Sequence, residues 1–186
     1  AEQEKTQLTV LEAACRWFEE KLAQNMTARQ YIEKRGLAAD TVRRFRIGYA
    51  PEDRTALHQH LLKAGFPLAM QLESGLIIQP DDGNVYDRYR GRVMFPIRSA
   101  RGDVIAFGGR FIGNAGDRQI AKYLNSPETA LFKKGEMLYN LDLAKRAIRD
   151  GGRAVVMEGY MDVVSVAQSG VDYAVATLGT AVTPPH

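Results

Sequence analysis

The stretch RAVVMEGYMD, residues 153–162, joins an apolar run to two carboxylates. Ala154, Val155, Val156 and Met157 lead directly into Glu158, Gly159, Tyr160, Met161 and Asp162. A short continuous apolar run closed by a turn signal predicts a strand buried on both faces. Glu158 then falls at the carboxyl end of that strand, where open α/β sheets place their ligands. A helix starting near Tyr160 would carry Asp162 in its first turn, within approach of Glu158. Two carboxylates at a strand tip make a hard-oxygen site suited to Mg²⁺ or to proton transfer. The structural alternative is that both acids only complement the positive end of the following helix.

Working outward, the helix continues to about 169 and ends at Gly170, and residues 173–176 form another buried strand. This strand–helix–strand order is a βαβ unit with parallel strands. Upstream, residues 141–149 form a helix with Leu141, Leu143, Ala144, Ala147 and Ile148 apolar, ended by Asp150-Gly151-Gly152. From Gly75 to Arg110 the pattern is of short strands: 76–78, 85–89, 92–97 and 104–107. They are separated by turns at 81–84 and 101–103, which predicts antiparallel pairing. Gly108-Gly109 allows close backbone approach to a phosphate, or is a plain turn. Residues 111–121 are a Gly/Asn/Asp-rich loop, and Ser126 followed by Pro127 signals a helix start.

The first third is helical. Residues 9–24 carry Leu11, Cys15, Phe18 and Leu22 at spacings of three and four, with Thr9 and Glu12 as a capping box. A second helix over 28–35 takes Thr27 and Gln30 as its cap and Gly36 as its stop. A helical turn opens at Asp40-Thr41, and 45–51 is a short strand or link. A helix over 52–64 carries Leu57, Leu61 and Leu62, with His58 and His60 expected on the surface. Cys15 reads as a core residue. The predicted architecture is therefore an α+β unit of helices and antiparallel strands over 1–150, then the start of an α/β unit with parallel strands over 151–186.

Composition bounds the function. A chain of 186 residues, 45% hydrophobic and 25% charged, can bury a substantial core. No run approaches the roughly 20 apolar residues that span a bilayer. The polar opening AEQEKTQ has no apolar leader stretch, and one cysteine excludes an internal disulfide or a Cys-based zinc site. Cytoplasmic residence and a monomer are expected. The net charge of +3 conceals an asymmetry: residues 84–135 hold ten Lys/Arg against four Asp/Glu, a local +6, and the remainder carries −3. A basic block between acidic flanks points to a polyanionic partner.

Within that block Arg88, Arg90 and Arg92 alternate, which would set them on one face of an extended segment. Arg110, Lys122, Lys133 and Lys134 add cations, and Asn125 a neutral amide. Carboxylates that hold metal beside cations that hold phosphate are the parts of phosphoryl transfer. No GxxxxGK[ST] loop is present, which excludes a P-loop nucleotide hydrolase.

Six blocks occur in order: YDRYRGRVMFPI (86–97), GDVIAFGGR (102–110), KYLNSPET (122–129), LFKKGEMLYNL (131–141), EGYMDVVSVAQSGV (158–171) and AVATLGTAVT (174–183). Together they closely resemble the RNA-polymerase core of bacterial replicative primases of the DnaG type. RQYIEKRGL (29–37) and FRIGYAP (45–51) resemble that family's upstream region. The block beginning at Glu158 is similar to the first acidic motif of the toprim fold, shared with topoisomerases and some nucleases. The resemblance implies DNA-templated synthesis of short RNA primers from ribonucleoside triphosphates with Mg²⁺ or Mn²⁺. It implies that Glu158 is the catalytic, metal-holding glutamate and Asp162 the acid after it. Arg92, Arg110, Lys122, Asn125 and Lys133 or Lys134 match positions expected to contact template or nucleotide.

The family's toprim domain goes on to an Asp-x-Asp motif that completes the metal site, and none occurs here. The expectation is of a fragment, without the zinc-binding domain and without the domain that meets the replicative helicase. The alternatives are a toprim nuclease or topoisomerase piece, or a non-catalytic nucleic-acid-binding module.

Overall fold

Strand β4 (Arg92–Arg98) is the centre of the molecule in a computed structural model that describes residues 2–186. It pairs antiparallel with β1 (Gly48–Ala50) on one side and β5 (Val104–Phe111) on the other. β6 (Tyr123–Asn125) extends the sheet beyond β5, giving the order β1-β4-β5-β6. β4 is buried along nearly its whole length because both faces are covered. Pro96 is tolerated in it because β1 pairs only with Arg92–Met94, so the missing N–H lies beyond that strand's reach.

Helix α1 (Glu2–Gln24) covers one face, laying Val10, Leu11, Ala14, Cys15 and Phe18 on Met94 and Phe107. The opposite face presents Val93, Phe95 and Ile97 to a second cluster that includes Tyr139, Tyr160, Val163 and Val164. Short helices α2 (Met26–Lys34) and α3 (Ala39–Arg44) continue from α1, and α4 (Ala56–Lys63) and α5 (Leu68–Glu73) pack beside it. β2 (Ile77–Ile78) and β3 (Tyr86–Asp87) form a small antiparallel pair. After α6 (Leu141–Gly151), β7 (Val155–Met157), α7 (Tyr160–Gln168) and β8 (Ala174–Ala176) make the βαβ unit, with β7 and β8 parallel. The architecture is thus the predicted one: helices with an antiparallel sheet, then parallel strands.

Several local expectations are corrected. α1 begins at Glu2, so Thr9 and Glu12 lie inside it and form no cap. Asn25, not Thr27, caps α2, its side chain accepting from the Ala28 amide at 2.8 Å. α4 starts at Ala56 rather than 52, because the buried Asp87 carboxylate accepts from the Leu57 and His58 amides at 2.8 and 3.0 Å. His58 is buried, not exposed, with Nδ1 2.8 Å from Gln71 Oε1; that glutamine lies on α5, a helix the sequence pattern did not signal.

Residues 88–91 are not strand, since Gly91 turns the chain at φ +62. No helix starts at Ser126; its hydroxyl is buried, accepting from the Phe107 amide at 2.9 Å and lying 2.6 Å from the Tyr89 hydroxyl. Ser126 closes β6 onto the sheet instead of opening a helix. β7 is not buried on both faces. Val155 and Val156 are 41% and 49% exposed, because β8 is the only strand beside β7 among the described residues. Cys15 is a core residue as read, and burial pushes its thiol far up.

Candidate functional site

The acidic tip is built as the strand pattern implies. β7 ends at Met157, Glu158 follows, and Gly159 in extended backbone delivers the chain to α7. Asp162 lies in the first turn of α7, and both carboxylates are exposed. A Cβ added to Gly159 would stand 3.4 Å from Asp162 Oδ2, so the Asp162 carboxylate folds back toward the strand tip. Neither acid makes an ion pair or side-chain hydrogen bond among the described residues. Their oxygens are free, a donor set that suits Mg²⁺, which takes one or two carboxylates and completes its shell with water and phosphate oxygens. No third acid, His or Cys joins them among the described residues.

Between the two acids stands Tyr160, which the sequence reading left without a role. It is buried, its ring stacked on Phe95 at 4.8 Å and edge-on to Tyr123 and Tyr139 at 5.7 and 5.6 Å. Its hydroxyl donates to Asn125 Oδ1 at 3.0 Å. Burial pushes the phenol well up, which keeps the hydroxyl a donor. Gly108 is no turn: it lies inside β5, and a Cβ there would fall 2.5 Å from the Tyr160 ring. The neighbouring Gly109 clears the Arg92 side chain in the same way. The only sequence signal for this seat was the Gly108-Gly109 pair.

The basic residues fall into two groups. Arg110 lies over the rings of Tyr31 and Tyr123 at 5.8 and 5.6 Å, and Lys122 over Tyr123 at 5.9 Å. With Asn125 they lie along the β6 edge, where the Tyr123 ring meets Tyr160. Arg88, Arg90 and Arg92 line a separate depression of about 400 Å³ with Glu52, Phe111 and Arg118. Arg88 donates to the Gly75 carbonyl at 2.7 Å, and Arg90 lies over Tyr86 at 5.2 Å.

Arg92 joins the two groups. It is buried over the Phe111 ring, and its Nη1 donates to the Gly109 and Lys122 carbonyls at 3.1 and 3.4 Å. The three arginines line one cavity and not one face of an extended segment, since the turn at Gly91 and no strand period brings them there. Arg118, on the loop after β5, joins them without having been singled out; its only signal was a cation inside a polar loop. Lys133 and Lys134 sit on a turn held by the Glu128 carboxylate, which accepts from the Lys134 amide at 3.1 Å. No hydrogen bond or ring contact joins either ammonium to Tyr160 or Asn125.

Comparisons with known proteins show the family and the fold. Residues 17–145 match the family described as the DNA primase catalytic core, N-terminal domain, and residues 152–186 match the Toprim domain. DNA primase of Escherichia coli (strain K12) is 44% identical over 190 residues, covering 99% of this chain and 31% of that protein. DNA primase of Deinococcus radiodurans is 48% identical over 160 residues, covering 86% of this chain and 27% of that protein. A DnaG primase catalytic domain solved with single-stranded DNA superposes over 100% of this chain and 59% of that one, with TM-score 0.89 and 43% identity.

The RNA polymerase domain of Mycobacterium tuberculosis primase DnaG is also similar. Solved with a double-stranded DNA oligomer carrying a 6-nucleotide overhang, it superposes over 98% of this chain and 57% of that one, at TM-score 0.90 and 38% identity. Fold and site define a sheet-and-helix unit leading into a toprim domain. More narrowly, the chain belongs to the DnaG-type bacterial DNA primase family, in its catalytic core. It spans about a third of the length of the curated relatives it matches.

Proposed function

We propose that this chain is part of a primase catalytic core that, in the intact protein, makes short RNA primers on single-stranded DNA from ribonucleoside triphosphates. The observation that carries this is the packing of Tyr160. It seats two exposed, unpaired carboxylates, Glu158 and Asp162, beside a sheet edge carrying Arg110 and Lys122. In this reading Glu158 and Asp162 hold Mg²⁺ or Mn²⁺, with further ligands from outside this chain. The bound ion would supply Lewis-acid polarisation of the reacting phosphate and make the 3′-hydroxyl a better nucleophile.

The cations hold phosphates. Arg110 is pre-oriented by the Tyr31 and Tyr123 rings, while Arg88, Arg90 and Arg92, with Lys122, Lys133 and Lys134, bind the strand or the nucleotide through their charge. Residues 1–150 form the basic subdomain and 151–186 the beginning of the toprim domain. Replicative helicase meets a part of the protein outside this chain, and the site of action is the cytoplasm; no helix among the described residues is long and apolar enough to cross a membrane.

The test is Glu158→Gln in the intact protein. Primer synthesis falls by about a hundredfold or more, the consequence of losing several kcal/mol of charge stabilisation. Affinity for single-stranded DNA stays within about twofold, since the substitution removes no phosphate-binding cation. Unchanged synthesis removes Glu158 from the chemistry. Metal-dependent cleavage of DNA without ribonucleotide incorporation would turn the reading to a nuclease.

A further inference from the structure

We infer that Tyr160 is a positioning residue and Asn125 its anchor, so that what Asn125 supplies to the site is this hydrogen bond, which ties the acidic tip to the sheet edge. The inference rests on the primase reading above and assigns two side chains within it. Four observations converge. Tyr160 lies between Glu158 and Asp162 in sequence, so the phenol ring is the plug that carries both carboxylates to the sheet. Its hydroxyl donates to Asn125 Oδ1 at 3.0 Å, which occupies the amide's acceptor atom. The loop after β8 passes beside the other end of that amide: a Cβ added to Gly179 would stand 3.4 Å from Asn125 Nδ2. Asn125 therefore faces both the tip after β7 and the loop after β8, the two places where the parallel strands end. Finally, Gly108 opens the seat for the ring, because any side chain there would overlap it at 2.5 Å.

The geometry decides what the pair does. β6 places Tyr123, with the cations of Arg110 and Lys122 over its ring, edge-on to Tyr160. Asn125 is two residues along the same strand. The hydrogen bond from Tyr160 to Asn125 therefore fixes the β7 tip relative to the β6 edge. That sets the separation between the carboxylates and the phosphate-binding cations. Phosphoryl transfer depends steeply on that separation, and a misplacement of about 1 Å can cost about a hundredfold in rate.

The experiment uses the intact protein and four variants: Tyr160→Phe, Asn125→Ala, the double variant, and Gly108→Ala. Turnover at saturating template, affinity for single-stranded DNA and the thermal midpoint are measured together. Tyr160→Phe keeps the ring and removes only the hydroxyl, so the midpoint moves little while turnover falls about tenfold. Asn125→Ala falls similarly, with DNA affinity within about twofold of the parent. The double variant is no slower than either single one, as expected when both remove one interaction. Gly108→Ala displaces the ring and also slows turnover.

Three results overturn the inference: turnover unchanged in Tyr160→Phe; Asn125→Ala weakening DNA binding several-fold while Tyr160→Phe does not; or additive losses in the double variant. Glu158→Gln in the same assay separates the two readings. If it is active, the primase assignment of the tip is wrong. If it is inactive while Tyr160→Phe is normal, only the positioning role fails.

Discussion

Asp87 shows how one carboxylate can terminate a helix and respond to pH. It is buried beneath α4, and burial pushes its carboxyl up to about 6, against the pull of the amide hydrogen bonds from Leu57 and His58. A group whose folded value lies above its unfolded value holds its proton more tightly when folded. Its contribution to stability is therefore greatest near pH 4 and declines as pH rises to about 6, then stays level. Asn at this position keeps an acceptor and cannot titrate. We expect wild-type stability to fall relative to Asp87→Asn between pH 4 and 6.5, by on the order of 2 kcal/mol, in urea unfolding at several pH values. A difference that does not change with pH would contradict the burial argument. The sequence pattern did not single out Asp87 because its function depends on α4, thirty residues away.

Among the elements, the crossing of α1 over β1 is the tightest. A Cβ at Gly48 would stand 2.6 Å from the backbone carbon and Cβ of Phe18 and 2.9 Å from the Glu19 nitrogen. Backbone atoms cannot yield as a side-chain end can, so only Gly lets the strand approach the helix. Gly48→Ala is expected to cost about 3 kcal/mol, the upper part of the range for overpacking, measured as a lower urea midpoint. A loss below about 0.5 kcal/mol would mean that α1 shifts freely. Arg46 reinforces the same crossing, with its guanidinium between Glu12 and Glu19 of α1 at distances of 2.8 to 3.2 Å. The helix was legible from its apolar spacing, whereas its partner strand was seen only as a short strand or link. Three residues are too few to carry a period, and β1 exists because β4 and α1 hold it from two sides.

Across the whole molecule the basic tract becomes a surface with two parts, the β6 edge around Tyr123 and the depression around Arg88, Arg90 and Arg118. If both carry phosphates, binding of single-stranded DNA weakens steeply with salt. Each lost phosphate contact lowers the magnitude of the log–log slope by about 0.7. Arg90→Ala with Arg118→Ala should then reduce the slope by about 1.4 and weaken binding without regard to sequence. An unchanged slope in a salt titration would assign the depression to another task. Links between the two halves of the chain hold the surface in one frame. Gln168 at the end of α7 accepts from the Ala38 amide at 2.7 Å and donates to the Gly36 carbonyl at 2.6 Å. Arg98 of β4 and Asp142 of α6 pair at 3.2 Å with little exposure.

The sequence by itself determined the helices and antiparallel strands that come first, the parallel strands at the end, the acidic tip at Glu158 and the run of cations before it. Each of these is written in local terms: apolar period, turn residues, charge along the chain. Tertiary structure alone decided the rest. It turned Ser126 from a helix cap into a buried bridge, and His58 from a surface residue into a core one. It also gathered three arginines by a turn and not by a strand. In each case the deciding partner is distant in the chain, and no local pattern records what a side chain will meet there. Tyr160 is the clearest example: in RAVVMEGYMD it is one aromatic among apolar neighbours, and only Gly108 and Asn125 on the sheet decide where its ring and hydroxyl sit.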